Sequence, residues 1–417
     1  MPVLKILHLS DIHLGSSFSH GRLNPETGLN SRLEDFINCL SLCIDRAIAE
    51  PVDLVLFGGD AFPDATPPPY VQEAFAAQFR RLADVQIPTV LLVGNHDQHA
   101  QGSGGASLCI YRTLAVPGFI VGDNLQTHRV ATAKGVVQII TLPWLNRSTL
   151  LTRPETEGLS LAGVNDLMIE RLKPVLEAEI RQLDPKLPAI LLAHLMADRA
   201  NLGAERFLAV GKGFTIPLSL LTRPELDYVA LGHVHKHQNL NPGNDPPVIY
   251  PGSIERVDFS EEKEDKGYVS IALEKGNVQW EFCPLPARPF YTIEVNVSEK
   301  SDPQSEILQA IARRKIAEGV VRLIYKIRSE QLELINMAAL HEALSIAHTY
   351  TIQPELVSQL ARPRLPELGA GSSITPMEAL TTYLSSQENV KDILKEMLEA
   401  AQNLLQDDSN VAKTGNT

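Results

Sequence analysis

Five short polar motifs, each set where an apolar run stops, constrain this chain more than any other feature. Asp11-Ile-His13 follows Lys5–Leu9, Gly59-Asp60 follows Asp53–Phe57, and Gly94-Asn-His-Asp97 follows Thr89–Val93. His194 closes Ala189–Ala193, and Gly232-His-Val-His235 follows Asp227–Leu231. Short runs rich in branched aliphatic residues read as strands. Strands of one sheet end along a common edge, so motifs far apart in sequence can meet there.

The donors in these motifs are oxygen and imidazole, without thiolate. Such a set suits a hard or borderline divalent cation such as manganese, not an iron–sulfur cluster or a structural zinc. Asp11, His13, Asp60, Asn95, His194, His233 and His235 are more donors than one ion uses, so two ions are the economical reading. Asp11 and His13, two apart on a segment read as extended, point to one side and can share one ion. Asp60, after two glycines that permit close backbone approach, stands where a carboxylate can bridge both ions. Asn95 adds a neutral amide oxygen. His194 and His233 complete the second ion, and His235 returns to the first. Asp97 reads as a holder for His96 or as a ligand.

Two ions roughly 3.5–4 Å apart can bind the attacking and leaving oxygens of a phosphoryl displacement and lower the pKa of bound water. His96 is not needed as a ligand. Beside Asn95, it is the natural group to protonate the leaving oxygen or steady the transition state. Taken singly, each motif has a plainer reading. Asp-x-His is common, Gly-Asn-His-Asp suits a turn, and His-Val-His suits a solvated strand edge. Their joint occurrence at strand ends favours the metal reading. His20, His99, His128, His237, His341 and His348 lack such context and read as surface or loop groups, with His99 and His237 nearest a substrate.

A formal net charge of −13 over 417 residues argues against a bulk electrostatic grip on nucleic acid. Bound cations or a local basic face can still meet a polyanion. Cys39, Cys43, Cys109 and Cys283 show no paired ligand spacing. Cys39 and Cys43, four apart on an expected helix, read as buried thiols of a reducing compartment. We expect neither a signal peptide nor a spanning segment.

Strands and amphipathic helices alternate through the first half, with helices expected at Arg32–Ala49, Tyr70–Ala83 and Leu108–Leu114 and a Gly/Ser-rich loop at His99–Gly105. Short strands dominate later, at Val136–Leu142, Val248–Tyr250, Tyr268–Leu273 and Val278–Phe282, with a helix at Val164–Leu183. A second sheet packed on the first would bury these runs. The expected fold class is α/β: a four-layer helix–sheet–sheet–helix core over residues 1–286, a small α/β capping domain at 287–361 and a C-terminal helical hairpin. In the cap, Phe290–Val297 and Val320–Ile327 read as strands, and Asp302–Ala317 and Ser329–Ser345 as helices. It gathers Arg313, Arg314, Lys315, Arg322, Lys326 and Arg328, either a solvated face or a polyanion contact. Residues 362–374 read as a linker, 375–406 as the hairpin and 407–417 as a disordered tail. Pro376 and Glu378 suit a helix start after Thr375. Val390, Ile393, Leu394, Met397, Leu398, Ala401, Leu404 and Leu405 form one apolar stripe, suited to the body of the protein or to a partner helix.

These motifs resemble the calcineurin-like metallophosphoesterase superfamily. Within it the chain looks like SbcD-type DNA repair nuclease subunits, through Leu9-Ser-Asp-Ile-His-Leu-Gly15, Gly59-Asp60 with Pro67–Pro69, Val93-Gly-Asn-His-Asp97, and Gly232–His235 followed by Tyr250–Phe259. The resemblance is strong over residues 1–285 and covers the remainder by arrangement. It implies a manganese-dependent nuclease, with magnesium as the alternative metal, that digests duplex ends and cuts single strands. It implies Asp11, His13, Asp60, Asn95, His194, His233 and His235 as ligands and His96 as the catalytic acid. It also implies homodimers within a heterotetramer, an SbcC-type coiled-coil ATPase partner docked on the hairpin, DNA as substrate, no membrane, and a cytoplasmic, nucleoid-associated setting. Archaeal relatives carry a histidine three residues after the bridging aspartate, where this chain has Pro63. The rival reading is a phosphatase or small-molecule phosphodiesterase with the same ions. Phosphoprotein phosphatases of the superfamily follow the bridging aspartate with Asp-Arg-Gly and end the later motif in glutamate, whereas this chain has Ala61-Phe-Pro-Asp64 and Asp97.

Overall fold

The computed structural model describes residues 2–99, 105–146, 151, 153–201, 215–357, 376–385 and 394–402. Strand β1 (Leu4–Leu9) leads through helix α1 (Ser31–Ala49) to β2 (Leu54–Phe57), then α2 (Pro69–Asp84), β3 (Thr89–Leu92), α3 (Cys109–Thr113) and β4 (Phe119–Gly122). Next come β5 (Gln126–Thr132), β6 (Gly135–Leu142), α4 (Leu161–Arg181), β7 (Ala189–His194), β8 (Tyr228–Gly232), β9 (Gln238–Asn239) and β10 (Val248–Tyr250). Strands β11 (Gly267–Glu274) and β12 (Asn277–Pro284) form a hairpin.

Two six-stranded sheets result, ordered β12-β11-β1-β2-β3-β4 and β9-β10-β8-β7-β6-β5. Strands β1 to β4 run parallel, as do β6, β7, β8 and β10. The alternation of side chains builds the layers. In the first sheet Leu7, Leu9, Val55 and Phe57 face outward onto Leu33, Phe36 and Leu40 of α1 and Phe75 and Phe79 of α2. Leu4, Ile6, Leu54, Leu56, Val90 and Leu92 face inward onto Val137, Ile139, Ile190 and Leu192 of the second sheet. The outer face of that sheet is covered by α4 through Val164, Met168, Leu172, Leu176 and Ile180, a strict four-residue stripe. The architecture is helix–sheet–sheet–helix, the layering expected from sequence.

Several local expectations need correction. The Tyr268–Leu273 and Val278–Phe282 runs belong to the first sheet, because β11 pairs antiparallel with the open edge of β1. Strands β4 and β5 were not expected; their half-exposed faces lack a clear apolar period. Beyond Arg288 the elements are β13 (Phe290–Asn296), α5 (Pro303–Ala312), β14 (Val320–Ile327), α6 (Met337–Leu344) and β15 (Thr349–Leu356). The Asp302–Ala317 helix is shorter than expected. Ser329–Ser345 splits into a 3-10 turn, Ser329–Leu334, and α6, which Asn336 caps by accepting from Ala339 N at 3.2 Å.

Contacts group the chain into two units: Met1–Val295 with Gln304–Tyr325 and Asn336–Gln353, and Asn296–Pro303 with Lys326–Ile335 and Pro354–Thr417. Within the first unit Arg288 grips Asp35 of α1 by two bonds of 2.6 Å, and His348 Nε2 meets Ser31 Oγ at 2.7 Å. His348 is therefore buried, not a surface group, and His128 is half-buried on β5. Within the second unit, Gln331 donates to Lys300 O at 2.9 Å, and α7 (Pro376–Ser385) opens on its proline. Residues 394–402 are also helical. The linker, the tail, Thr375, Val390, Ile393, Leu404, Leu405 and most of the 99–105 loop lie outside the described residues. The four cysteines are free, with Cys39 and Cys43 buried. Among the described residues no helix is long and apolar enough to cross a membrane.

A polar pair lies in the interface between the sheets. His8 of β1 meets Tyr228 of β8, Nδ1 to Oη at 3.3 Å, both fully buried. Burial lowers the His8 pKa from 6.5 to about 3. Because the folded value is depressed, its contribution to stability is complete above pH 6.5 and is lost as pH falls toward 3. At about 1.4 kcal/mol per pKa unit, this should remove roughly 3 kcal/mol of stability between pH 6.5 and 4. Urea unfolding of metal-free protein across that range should show a shallower pH slope for His8→Gln than for wild type; parallel slopes would refute the assignment.

Candidate metal centre

The strand ends deliver the motif residues from both sheets to one place. Asp11 and His13 follow β1, Asp60 follows β2, Asn95 and His96 follow β3, His194 ends β7, and His233 and His235 follow β8. The loops stay paired past the strands: Asp11 N donates to Gly59 O at 2.9 Å and His13 N to Asp60 O at 3.1 Å. Asp11, His13, Asp60 and His233 all have positive φ, from 47° to 102°. Asp11 and His13 are thus not extended, as their spacing suggested. Left-handed backbone at non-glycine residues costs energy and concentrates at functional sites.

Glycines let the halves touch. A Cβ on Gly232 would lie 2.2 Å from Gly58 O, and one on Gly59 2.5 Å from His194 Nδ1. Gly58, on β2's exit, and Gly232, at the end of β8, are thus packed backbone to backbone across the sheets.

The donors fall into two buried clusters, Asp11–His13–His235 and Asp60–His194–His233, each with ligand atoms within 4.8 Å of one another. In the first, His13 Nε2 faces His235 Nε2 at 3.0 Å. His235 Nδ1 donates to Glu261 Oε1 at 2.6 Å, so its Nε2 offers a lone pair. Two imidazole nitrogens this close suit neighbouring positions on one cation, since ligands at right angles with bonds of about 2.1 Å lie about 3 Å apart. In the second, Asn95 Oδ1 lies 2.9 Å from both His194 Nε2 and His233 Nδ1. His233 Nε2 is buried without a partner. Asp60 Oδ2 stands between the clusters, 3.3 Å from His194 Nε2 and 3.7 Å from His13 Nε2. The residues fit two divalent metal ions with Asp60 between them.

Electrostatics agree with that fit. Burial, then the charge at His235, lowers His13 well below the usual imidazole value. Burial and His194 lower His233 to about 3, so both rings are neutral donors at pH 7. Burial also opposes charge on His194, but the Asp60 carboxylate, its hydrogen bond and Asp11 outweigh it and raise His194 to about 9. Asp60 is held well below the carboxylate range against burial, chiefly by His194.

Asp97 takes neither expected role. Its oxygens accept from Asp60 N at 2.9 Å, Ala61 N at 3.0 Å and Gly94 N at 2.9 Å, tying two motif loops together. Burial, then repulsion from Asp60, pushes its pKa up to about 7. His96 is instead held by Pro63, whose carbonyl accepts from Nδ1 at 2.7 Å, while His96 N donates to Asp60 Oδ1 at 2.8 Å. His99 lines the cleft beside His96, whereas His237 stacks on Phe282 with centroids 4.2 Å apart. Sequence reasoning missed Trp144, whose ring lies 4.8 Å from His233, and Ser10, which donates to Asp11 Oδ2 at 2.5 Å. It also missed Glu261, one acid among several near Glu262 and Glu264 with no spacing to single it out.

The calcineurin-like phosphoesterase family profile matches residues 4–237. The chain belongs to this family. It is 28% identical over 394 residues to the SbcD component of the nuclease SbcCD from Rhodobacter capsulatus, spanning 86% of this chain and 90% of that protein. Among solved structures it is similar to a dimetal phosphatase from Danio rerio, with a TM-score of 0.40 and 13% identity over 67% of this chain and 96% of that one. It is also similar to a purple acid phosphatase from yellow lupin, with a TM-score of 0.39 and 15% identity over 68% of this chain and 52% of that one. It is a metal-dependent phosphoesterase.

The glycine contact yields a direct test. Gly232→Ala should cost roughly 1–3 kcal/mol through overpacking and weaken Mn2+ binding more than about tenfold. Thermal melts and calorimetric titration measure both, and wild-type affinity in this variant would show that the contact does not hold the centre together.

Proposed function

We propose that this chain is the nuclease component of an SbcCD-like DNA repair complex, digesting duplex ends and cutting single strands with two manganese ions, or magnesium in their place. The extent of the likeness carries this reading. Identity with the R. capsulatus nuclease component runs over 86% of this chain and 90% of that protein, well beyond residue 237 where the family match ends. A shared phosphoesterase core alone would not extend so far.

Two divalent ions supply the charge that favours attack on phosphorus and departure of the leaving oxygen. The chain's own groups position and protonate. His96 is half-buried and lines a cleft of about 290 Å³ with Pro63–Thr66, Asn95, Gln98 and His99. Pro63 O holds its Nδ1–H, and its backbone N–H is tied to Asp60, so the ring is fixed relative to the centre. A ring so held can give a proton to the leaving oxygen from Nε2 when that nitrogen carries one in addition to Nδ1–H.

Partners follow from the same reading: a second copy of the chain, and an SbcC-type ATPase whose coiled coil takes the hairpin at 375–406, in a cytoplasmic, nucleoid-associated complex. Met397 on the hairpin stripe is 39% exposed, and Leu394 and Leu398 are half-buried. DNA would meet Arg313, Arg314 and Lys315, which are exposed, rather than the whole basic cluster. Arg322 lies over the Phe259 ring at 4.4 Å, and Lys326 and Arg328 pair with Glu355 and Glu299.

With Mn2+, purified protein should digest a blunt duplex, and His96→Ala should lose about 10²–10⁴-fold of that rate while retaining its metal content. Equal rates would remove His96 from the mechanism. Hydrolysis of small phosphate monoesters without attack on DNA would favour the phosphatase reading. Deleting residues 372–417 should abolish co-purification with the ATPase while single-strand cleavage by the free nuclease chain persists; retained association would place the docking site elsewhere.

A further inference from the structure

We infer that Glu261, backed by Lys266, is a positioning residue that makes the ion seat at His13 and His235 the tighter of the two. Glu261 Oε1 accepts from His235 Nδ1 at 2.6 Å, while Oε2 takes Lys266 Nζ at 2.7 Å and Val257 N at 3.0 Å. Lys266 Nζ also donates to Glu264 Oε2 at 2.9 Å and returns to the His235 carbonyl at 3.2 Å. His235 is thus gripped twice by one pair, at its ring through Glu261 and at its backbone through Lys266. Glu261 and Lys266 are buried, 0% and 1% exposed.

Burial of this pair is costly unless both charges stay compensated. Lys266 keeps Glu261 an anion, and an anion can only accept. The His235 ring must therefore carry its hydrogen on Nδ1 and turn its Nε2 lone pair toward His13. A carboxylate behind a ligating imidazole also raises the basicity of the ligand.

Among the described residues the other seat has no carboxylate behind a ring. His194 Nδ1 rests on the neutral Gly58 carbonyl at 2.7 Å, and His233 is held by Asp11 only at its backbone N–H, at 3.0 Å, with its ring Nε2 buried without a partner. One seat has a histidine ring backed by a carboxylate, and among the described residues neither ring of the other seat has one. The seat at His13 and His235 fills first, and the seat at His194 and His233 exchanges more readily.

The test titrates the full chain, stripped with chelator, using Mn2+ alone, followed by calorimetry and by the electron paramagnetic resonance of single and coupled Mn2+. Wild type should bind in two steps, and His13→Ala should abolish the tighter one. Glu261→Gln should weaken that same step by about 10–100-fold and leave the other in place, so that one uncoupled Mn2+ signal appears where wild type gives a coupled pair. Because Glu261→Gln leaves the Lys266 ammonium underpaired, Glu261→Gln/Lys266→Met is measured beside it and should show the same selective loss. Equal weakening of both steps, or of neither, overturns the inference. So does a wild type whose weaker step is the one His13→Ala removes, a result that needs no Glu261 variant to fold.

Discussion

Backbone contact between Gly58 and Gly232 is the constraint on which the centre depends. The first sheet carries Asp11, His13, Asp60 and Asn95 at its strand ends, and the second carries His194, His233 and His235. Both fully buried donor clusters combine residues of the two sheets, while His13, Asp60 and His96 of the first sheet also converge. Packed sheets normally stand about 10 Å apart, with side chains filling the gap. At the rim the side chains must disappear if donors from opposite sheets are to share an ion, and glycine is the residue that allows it.

The second theme is the cost of concentrating charge. Buried carboxylates and imidazoles would be destabilising in a packed interior without compensation. Part of the compensation is built in: Asp60 and His194 form an ion pair at 3.3 Å, and Asp97 is neutralised in effect by three backbone N–H groups. Bound cations would supply the rest, since the remaining donors converge without a positive charge of the chain between them. Binding divalent ions is therefore also a contribution to folding, because only the folded chain presents the paired donors.

Much of this was legible because strand periodicity and motif position are local signals. The apolar runs before Asp11, Asp60, Asn95, His194 and His233 located the edge where these residues meet, and the alternation within them implied layers. Other features depend on long-range partners or torsion angles that no spacing records. Asp97 looked like a ligand because it adjoins His96, yet it serves the backbone of a loop some 36 residues earlier. The hairpin β11–β12 was assigned to the wrong sheet, because an apolar strand does not announce which free edge it will join. Glu261 stayed hidden among neighbouring acids, and Asp11 and His13 reach their shared cluster through left-handed turns and not through the extended backbone that their spacing suggested.

Arg32 shows what these distant pairings mean for a growing chain. Its guanidinium, wholly buried at the start of α1, is met by Asp35 nearby but also by the Arg256 carbonyl at 2.7 Å and Glu255 at 3.4 Å. Strand β1 likewise waits for β11 along its open edge. During synthesis the amino-terminal half emerges with a cation it cannot yet bury and a strand it cannot yet cover. Consolidation must await the ribosome's delivery of residues beyond Glu274, a high-contact-order arrangement that folds slowly and exposes early intermediates to aggregation.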